Sequence, residues 1–177
     1  MPFDLILGGV RSGKSRLAVE AGRRADGPVR FIATAAEVDA DMADRISRHR
    51  NERPSTWATI EEPCDLLGAL DRCDDAEFIV LDCLTVWTSN VMFAEVDPVD
   101  IVEQARVVAE RLASREGQAV VVSNEVGMGV HPFSELGRQY RDLLGAVNVV
   151  VGARAQRAAL VMAGHFLPLQ TVDAWLR

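Results

Sequence analysis

The sequence predicts an α/β fold: a parallel sheet with helices on both faces, formed by one domain. Three observations carry that expectation. A phosphate loop of the form G-x-x-x-x-G-K-S, Gly8-Gly9-Val10-Arg11-Ser12-Gly13-Lys14-Ser15, follows the apolar run Phe3 to Leu7 and opens a helical pattern at Ser15. Strand-like and helix-like stretches alternate along the chain. The strand-like stretches are continuous apolar runs, the pattern of strands covered on both sides, rather than alternating ones. At 177 residues the chain has the usual size of one domain, and no repeat, low-complexity segment or linker marks a second.

Taken in order, Phe3 to Leu7 is the first strand, and Ser15 to Arg24 is a helix ended by Asp26-Gly27-Pro28. Val29 to Ala33 is a short second strand. A helix from about Asp39 to Asn51 stops before Pro54, because the residue ahead of proline disfavours helical geometry. Ser55 to Ile60 is extended, Cys64 to Leu70 is a short helix after Pro63, and Phe78 to Leu81 is an apolar strand ending in Asp82. The stretch Val86 to Phe93 is apolar and fits either element. Val99 to Arg115 is a helix, started near Asp97-Pro98 and stopped near Gly117. Ala119 to Val122 is a buried strand, followed by the glycine-bearing loop Ser123 to Gly129. Leu136, Tyr140, Leu143, Val147 and Val151 recur at helical steps, which favours one long helix although Val147 to Val151 alone suggests a strand. Ala158 to Met162 and Phe166 to Leu169 close the chain as two strands, with Gly164 turning between them. Sites in such a sheet gather at the carboxyl ends of the strands.

Composition narrows the partners. A formal charge of −7 works against a broad footprint for DNA or RNA. No segment reaches the roughly 18 consecutive apolar residues of a membrane span, and Met1 runs straight into the first strand, so a cytoplasmic location is expected. Cys64, Cys73 and Cys83 match neither a C-x-x-C pair nor a zinc site and read as reduced, structural thiols.

The chemistry-bearing residues follow from the loop. Gly8 and Gly13 let the backbone wrap phosphate oxygens, successive N–H groups point inward, and the following helix presents its positive end. Gly9, Val10, Arg11 and Ser12 complete the cradle. Lys14, read as an exposed loop lysine with little packing role, reaches the outer phosphates, and the Ser15 hydroxyl takes one Mg²⁺ position. Asp82, an acid at the end of an apolar strand, is the second Mg²⁺ ligand. Thr34, in the small-residue stretch after the second strand, and Glu61, beyond the extended piece, are further nucleotide-binding candidates. Asn124 and Glu125 leave a strand end toward the nucleotide side as second-tier candidates.

The segment Arg45-Ile46-Ser47-Arg48-His49-Arg50-Asn51-Glu52-Arg53-Pro54 admits two readings. One is a solvated helix end whose positive charge complements the helix dipole. The other is a nucleophilic histidine: a neutral His49 imidazole attacks the α-phosphorus of a nucleoside triphosphate, while Arg45, Arg48, Arg50 and Arg53 orient phosphates. His131 and His165 have no visible partner motif and read as ordinary surface or packing residues.

Together with Phe31-Ile32-Ala33-Thr34-Ala35, Leu84-Thr85 with Asn90, Asn124 through Gly129, and the closing Met162-Ala163-Gly164 and Leu167-Pro168-Leu169, these motifs occur in one order. That order resembles the bifunctional adenosylcobinamide kinase / adenosylcobinamide-phosphate guanylyltransferase family of cobalamin biosynthesis over nearly the whole chain. The resemblance implies a RecA-like phosphate-loop fold with an antiparallel strand near the C-terminus, and a trimeric assembly. It implies phosphorylation of adenosylcobinamide with ATP or GTP, then transfer of GMP from GTP to adenosylcobinamide phosphate through a guanylylated His49. The chain departs from the family pattern at Arg48, where many members carry another basic residue or histidine. Arg48 holds phosphate but cannot replace a histidine in proton transfer. A RecA-like nucleotide switch and a simple small-molecule kinase are the competing readings; the switch gives no reason for the Arg-His-Arg segment, and the arginine-rich lid that many simple kinases carry between later strands has no counterpart between Asp82 and Ala119.

Overall fold

In the computed structural model, which describes residues 3–35 and 53–176, the apolar runs become β1 (Phe3–Gly8), β2 (Val29–Ala33), β3 (Ala58–Glu61), β4 (Phe78–Asp82), β5 (Ala119–Val122), β6 (Arg157–Met162) and β7 (His165–Leu169). They form one sheet in the order β3-β2-β4-β5-β1-β6-β7. All pairings are parallel except β6 with β7, which are antiparallel across the turn at Gly164. The expected parallel sheet and its closing antiparallel strand are both present. The expected helix from about Asp39 to Asn51 lies outside the described residues.

Alternation along the central strands splits the core into two layers. On one side Ile6, Val29, Phe31, Val80, Val120 and Val122 pack against Ala18 and Val19 of helix α1 (Lys14–Arg23). On the other, Leu5, Ile32, Ile79, Leu81 and Val121 meet α2 (Leu66–Asp71), α3 (Leu84–Phe93), α4 (Pro98–Ser114) and α5 (Glu135–Gly152). A last turn, α6 (Val172–Trp175), follows β7.

Capping sets the helix starts. Asp65 accepts from Gly68 N–H (2.8 Å) ahead of α2, Asp97 from Val99 N–H (2.8 Å) ahead of α4, and Ser134 from Gly137 N–H (3.1 Å) ahead of α5. Each satisfies a donor that a helix N-terminus otherwise leaves open. The Asp65 cap also explains why α2 begins at Leu66 rather than Cys64. The apolar stretch that fits either element is helical, because Leu84, Trp87 and Val91 then fall on one buried face. In α5 the β-branched run stays helical for the same reason: Val147 and Val151 are buried while Val149 is 72% exposed. The extended piece Ser55 to Ile60 contracts to β3, an edge strand with three of four residues exposed.

The amino ends of the strands hold an ionic cluster far from the strand ends where sites gather. Arg30 makes a two-point contact with Glu77 (3.1 and 2.7 Å), and Glu77 also accepts from Asp74 N–H (3.0 Å). Arg115, 1% exposed, donates to the carbonyls of Asp74 and Glu77. Hydrogen bonding to Glu77 raises the Arg30 guanidinium above its ordinary range. Removing one member of a buried pair leaves the other charge uncompensated. Glu77→Ala is therefore expected to lower unfolding free energy by about 3 kcal/mol, measured as a shift of the urea midpoint; an unchanged midpoint would show that the cluster contributes nothing to stability.

Candidate active site

The chain leaves β1 at Gly8, turns with Ser12 N–H donating to the Gly9 carbonyl (3.4 Å), and enters α1 through Gly13 at φ 100°. A Cβ at Gly8 would lie 2.5 Å from the Val161 carbonyl oxygen of β6 and 2.7 Å from Ser12 Oγ, so only glycine passes there. Gly13 needs glycine for its left-handed backbone. No side chain caps α1, so the open N–H groups of its first turn and its positive dipole end face the loop. The loop is braced from both flanks: Glu125 N–H donates to the Gly8 carbonyl (3.2 Å), and Gly164 N–H to the Ser12 carbonyl (3.2 Å). Gly9, Val10 and Arg11 form its exposed tip.

Lys14 corrects an expectation. It is 8% exposed, not an exposed loop lysine, and its Nζ donates to the Gly9 carbonyl at 2.9 Å. Side chains in a helix lean toward its N-terminus, and in the first turn that direction runs back into the loop. The ammonium is thereby stored across the mouth of the phosphate cradle. Ser15, partly buried, follows it in the same turn.

The parallel register brings other candidates to one rim. Glu61, Ala33, Asp82 and Val122 are successive partners across β3, β2, β4 and β5. Because Val80 faces α1, the pleat places Asp82 on that same face, two strands from β1. Thr34 has a different part from the one expected. Fully buried, its Oγ1 donates to the Cys83 carbonyl (2.8 Å) and accepts from Cys83 N–H (2.9 Å), while its own N–H donates to the Asp82 carbonyl (3.1 Å). Its hydroxyl is occupied in holding the Asp82–Cys83 segment, whose peptide bond is cis. Asn90 Nδ2 supports it in turn, donating to the carbonyls of Thr34 and Pro63 (2.9 and 3.0 Å). Glu61 reaches the rim but stands four strand spacings from β1, roughly 19 Å.

Asn124 and Glu125 part company. Glu125 accepts from Gly127 N–H at 2.9 Å and so shapes its own turn. Asn124 is held by its backbone: its N–H donates to Thr85 Oγ1 (2.7 Å) and its carbonyl accepts from Asn148 Nδ2 (2.9 Å). Thr85, Asn148 and Tyr140 were not legible as site-supporting residues, though an asparagine within an apolar helical stripe was an available signal. Asn148 also accepts from Ser123 Oγ (2.7 Å), and Tyr140 OH donates to the Thr85 carbonyl (3.0 Å). Burial pushes the Tyr140 phenol up to about 12 and the Cys83 thiol up to about 11, so both stay neutral beside the site.

Arg53 stacks on the sheet. Its guanidinium lies over the Phe31 ring, 3.6 Å from the centroid, and covers the α1-side layer. Arg45, Arg48, His49 and Arg50 lie outside the described residues. His131 does have a neighbour, Arg141, which meets its Nδ1; His165 is exposed on β7. Cys64, Cys73 and Cys83 are free thiols, as expected. Among the described residues no helix is long and apolar enough to cross a membrane.

Residues 4–169 match the family model described as cobinamide kinase / cobinamide phosphate guanyltransferase. The chain is 39% identical over 168 residues to the bifunctional adenosylcobalamin biosynthesis protein CobP of Pseudomonas aeruginosa, covering 94% of this chain and 96% of that protein. It is 36% identical over 175 residues to the bifunctional adenosylcobalamin biosynthesis protein CobU of Salmonella typhimurium, covering 90% and 95%. Among solved structures, an ATPase from the type III secretion system of pathogenic bacteria aligns with TM-score 0.58 at 10% identity, over 97% of this chain and 59% of that one. A KaiC-like protein from Pyrococcus horikoshii aligns with TM-score 0.53 at 13% identity, over 90% and 70%. These structural likenesses establish a RecA-like phosphate-loop fold.

The steric limit at Gly8 can be tested directly. Gly8→Ala must displace either the loop or the β6 carbonyl, and triphosphate affinity measured by calorimetry is expected to fall by about tenfold or more; wild-type affinity would show that the loop tolerates the side chain.

Proposed function

We propose, since the chain belongs to the cobinamide kinase / cobinamide phosphate guanyltransferase family, that it phosphorylates the aminopropanol hydroxyl of adenosylcobinamide with ATP or GTP and then transfers GMP from GTP to the new phosphate. The observation that carries this reading is the phosphate loop itself: a glycine-limited turn, an uncapped helix start, and a lysine stored within it. The backbone N–H groups of residues 9 to 15 bind the triphosphate. Lys14 exchanges the Gly9 carbonyl for phosphate oxygens and balances their charge.

Ser15 and Asp82 would hold Mg²⁺. A hydroxyl and a carboxylate are hard oxygen donors that suit this ion, which takes its remaining positions from phosphates and water. A larger protein cluster is not required, in keeping with the lack of any group of three or more His, Cys, Asp or Glu ligands among the described residues. When bound, the ion neutralises charge on the phosphoryl oxygens.

In the second half-reaction the neutral His49 imidazole forms a bond to the α-phosphorus of GTP and pyrophosphate leaves with the electron pair of the broken P–O bond. A phosphate oxygen of adenosylcobinamide phosphate then attacks the same phosphorus, releasing imidazole and giving adenosylcobinamide-GDP. Arg48 and Arg50 flank His49 in the sequence, and positive charge close to an imidazole disfavours its protonated form.

Assembly as a homotrimer accords with the exposed apolar edge formed by β7 and α6, where Phe166, Leu167, Val172 and Trp175 are all more than half exposed. Sedimentation equilibrium is expected to give three chains per particle, with Phe166→Asp shifting the population toward monomers; a wild-type monomer at micromolar concentration would refute the assembly.

The reaction is tested by label retention. After incubation with GTP labelled at the α- or the γ-phosphate, only the α-label is expected on denatured protein, acid-labile and alkali-stable, and it is absent from His49→Ala. A wild-type chain that never retains the α-label would leave a switch or a simple kinase in place of the transferase.

A further inference from the structure

The chain that enters β3 is fixed to the sheet at two points. Arg53 sets its guanidinium over the Phe31 ring, 3.6 Å from the centroid. Four residues on, Trp57 packs against the layer that contains Phe31 and Val80. Its ring seats in a notch of α1: a Cβ at Gly22 would lie 2.6 Å from Trp57 Cη2 and 3.0 Å from its Cζ2. Alanine is the better helix former, so the ring, and not helix propensity, accounts for the glycine at position 22. Between the two contacts, Trp57 N–H donates to the Pro54 carbonyl (3.1 Å) and closes a turn that leads into β3. Ser55 and Thr56 are exposed in that turn, and β3 is an edge strand. Arg53 and Trp57 therefore tie this stretch to the α1-side layer.

That layer adjoins the phosphate cradle. Phe31 and Val80 face α1, the helix that begins with Lys14 and Ser15, and the pleat places Asp82 on the same face. Gly22 stands eight residues beyond Lys14, about 12 Å along the helix axis. In the sequence His49 stands four residues before Arg53 and eight before Trp57. A chain spans at most about 3.5 Å per residue, so the tether to His49 is no longer than roughly 14 Å from Arg53 and roughly 28 Å from Trp57. A short tether with a fixed root raises the effective concentration of the group it carries. Resting on the guanylyltransferase reading above, we propose that Trp57, seated at Gly22, and Arg53, stacked on Phe31, are positioning residues of guanylyl transfer. They fix the root of the His49 segment on the face of the sheet that carries Lys14, Ser15 and Asp82. Transfer of the γ-phosphoryl group to adenosylcobinamide does not use His49 and does not depend on this anchor.

The test follows the two half-reactions separately in the wild-type chain, Trp57→Ala, Trp57→Phe and Gly22→Ala. Three quantities are measured: the rate at which α-labelled GTP labels the protein, kcat for adenosylcobinamide phosphorylation, and GTP affinity by calorimetry. In Trp57→Ala the labelling rate is expected to fall about tenfold, with phosphorylation and GTP affinity held within a factor of about two. Trp57→Phe keeps an aromatic ring for the notch and is expected to bring labelling back to within about threefold of wild type. Gly22→Ala crowds the ring from the helix side and is expected to slow labelling as Trp57→Ala does; it carries the same comparison should Trp57→Ala not fold. Unchanged labelling in Trp57→Ala or, in its place, Gly22→Ala overturns the proposal. An equal loss in both half-reactions also overturns it, since that marks a structural role. A wild-type chain that takes no α-label removes the guanylyltransferase reading itself, and the positioning role falls with it.

Discussion

The geometry of the phosphate loop depends on β1 being paired on both sides. From β5 comes the Glu125 N–H that holds the Gly8 carbonyl, and from the β6–β7 turn comes the Gly164 N–H that holds the Ser12 carbonyl. Between them, the Val161 carbonyl sits so close to Gly8 that no side chain fits. A five-residue turn, Gly9 to Gly13, with an exposed tip would otherwise have many conformations. Here its two ends are fixed by backbone hydrogen bonds, and ordering entropy is met at folding rather than at binding.

Stability and chemistry are placed at opposite ends of the sheet. At the amino ends, Glu77 gathers Arg30, the Asp74 N–H and a carbonyl contact to Arg115 into a closed cluster. At the carboxyl ends, polar groups are also networked, but the network serves to fix backbone: Thr34 holds Asp82 and Cys83, while Thr85 and Asn148 hold Asn124. Backbone groups are satisfied there while selected side chains stay available. Such division is what a site needs when its ligand brings several negative charges, because preformed donors then act without moving.

Lys14 shows the same economy. Its ammonium is buried yet hydrogen-bonded to Gly9, which avoids the penalty of an unpaired buried charge. The carbonyl is a neutral acceptor, and a hydrogen bond from an ammonium to a charged phosphate oxygen is the stronger kind. The loop is thus held in shape by the side chain proposed to engage the ligand.

Much of the fold was legible in the sequence by itself. The phosphate loop, the strands Val29–Ala33 and Ala119–Val122, and the helix through the valines of α5 could be read because periodicity reports burial directly. Membership of the family was legible for the same local reason, since its motifs are contiguous. Only the tertiary structure decided strand order, with β5 set between β1 and β4, because parallel strands are joined by crossovers whose destination no local pattern encodes. That order separates Glu61 from the loop. The parts played by adjacent polar residues were likewise decided in three dimensions: the Asn124 backbone is held by Thr85 of α3 and Asn148 of α5, while Glu125 turns into its own loop. Arg53, one of several arginines in its segment, lies over the Phe31 ring. In each case the residue type was informative about chemistry, but its direction depended on partners distant in the chain.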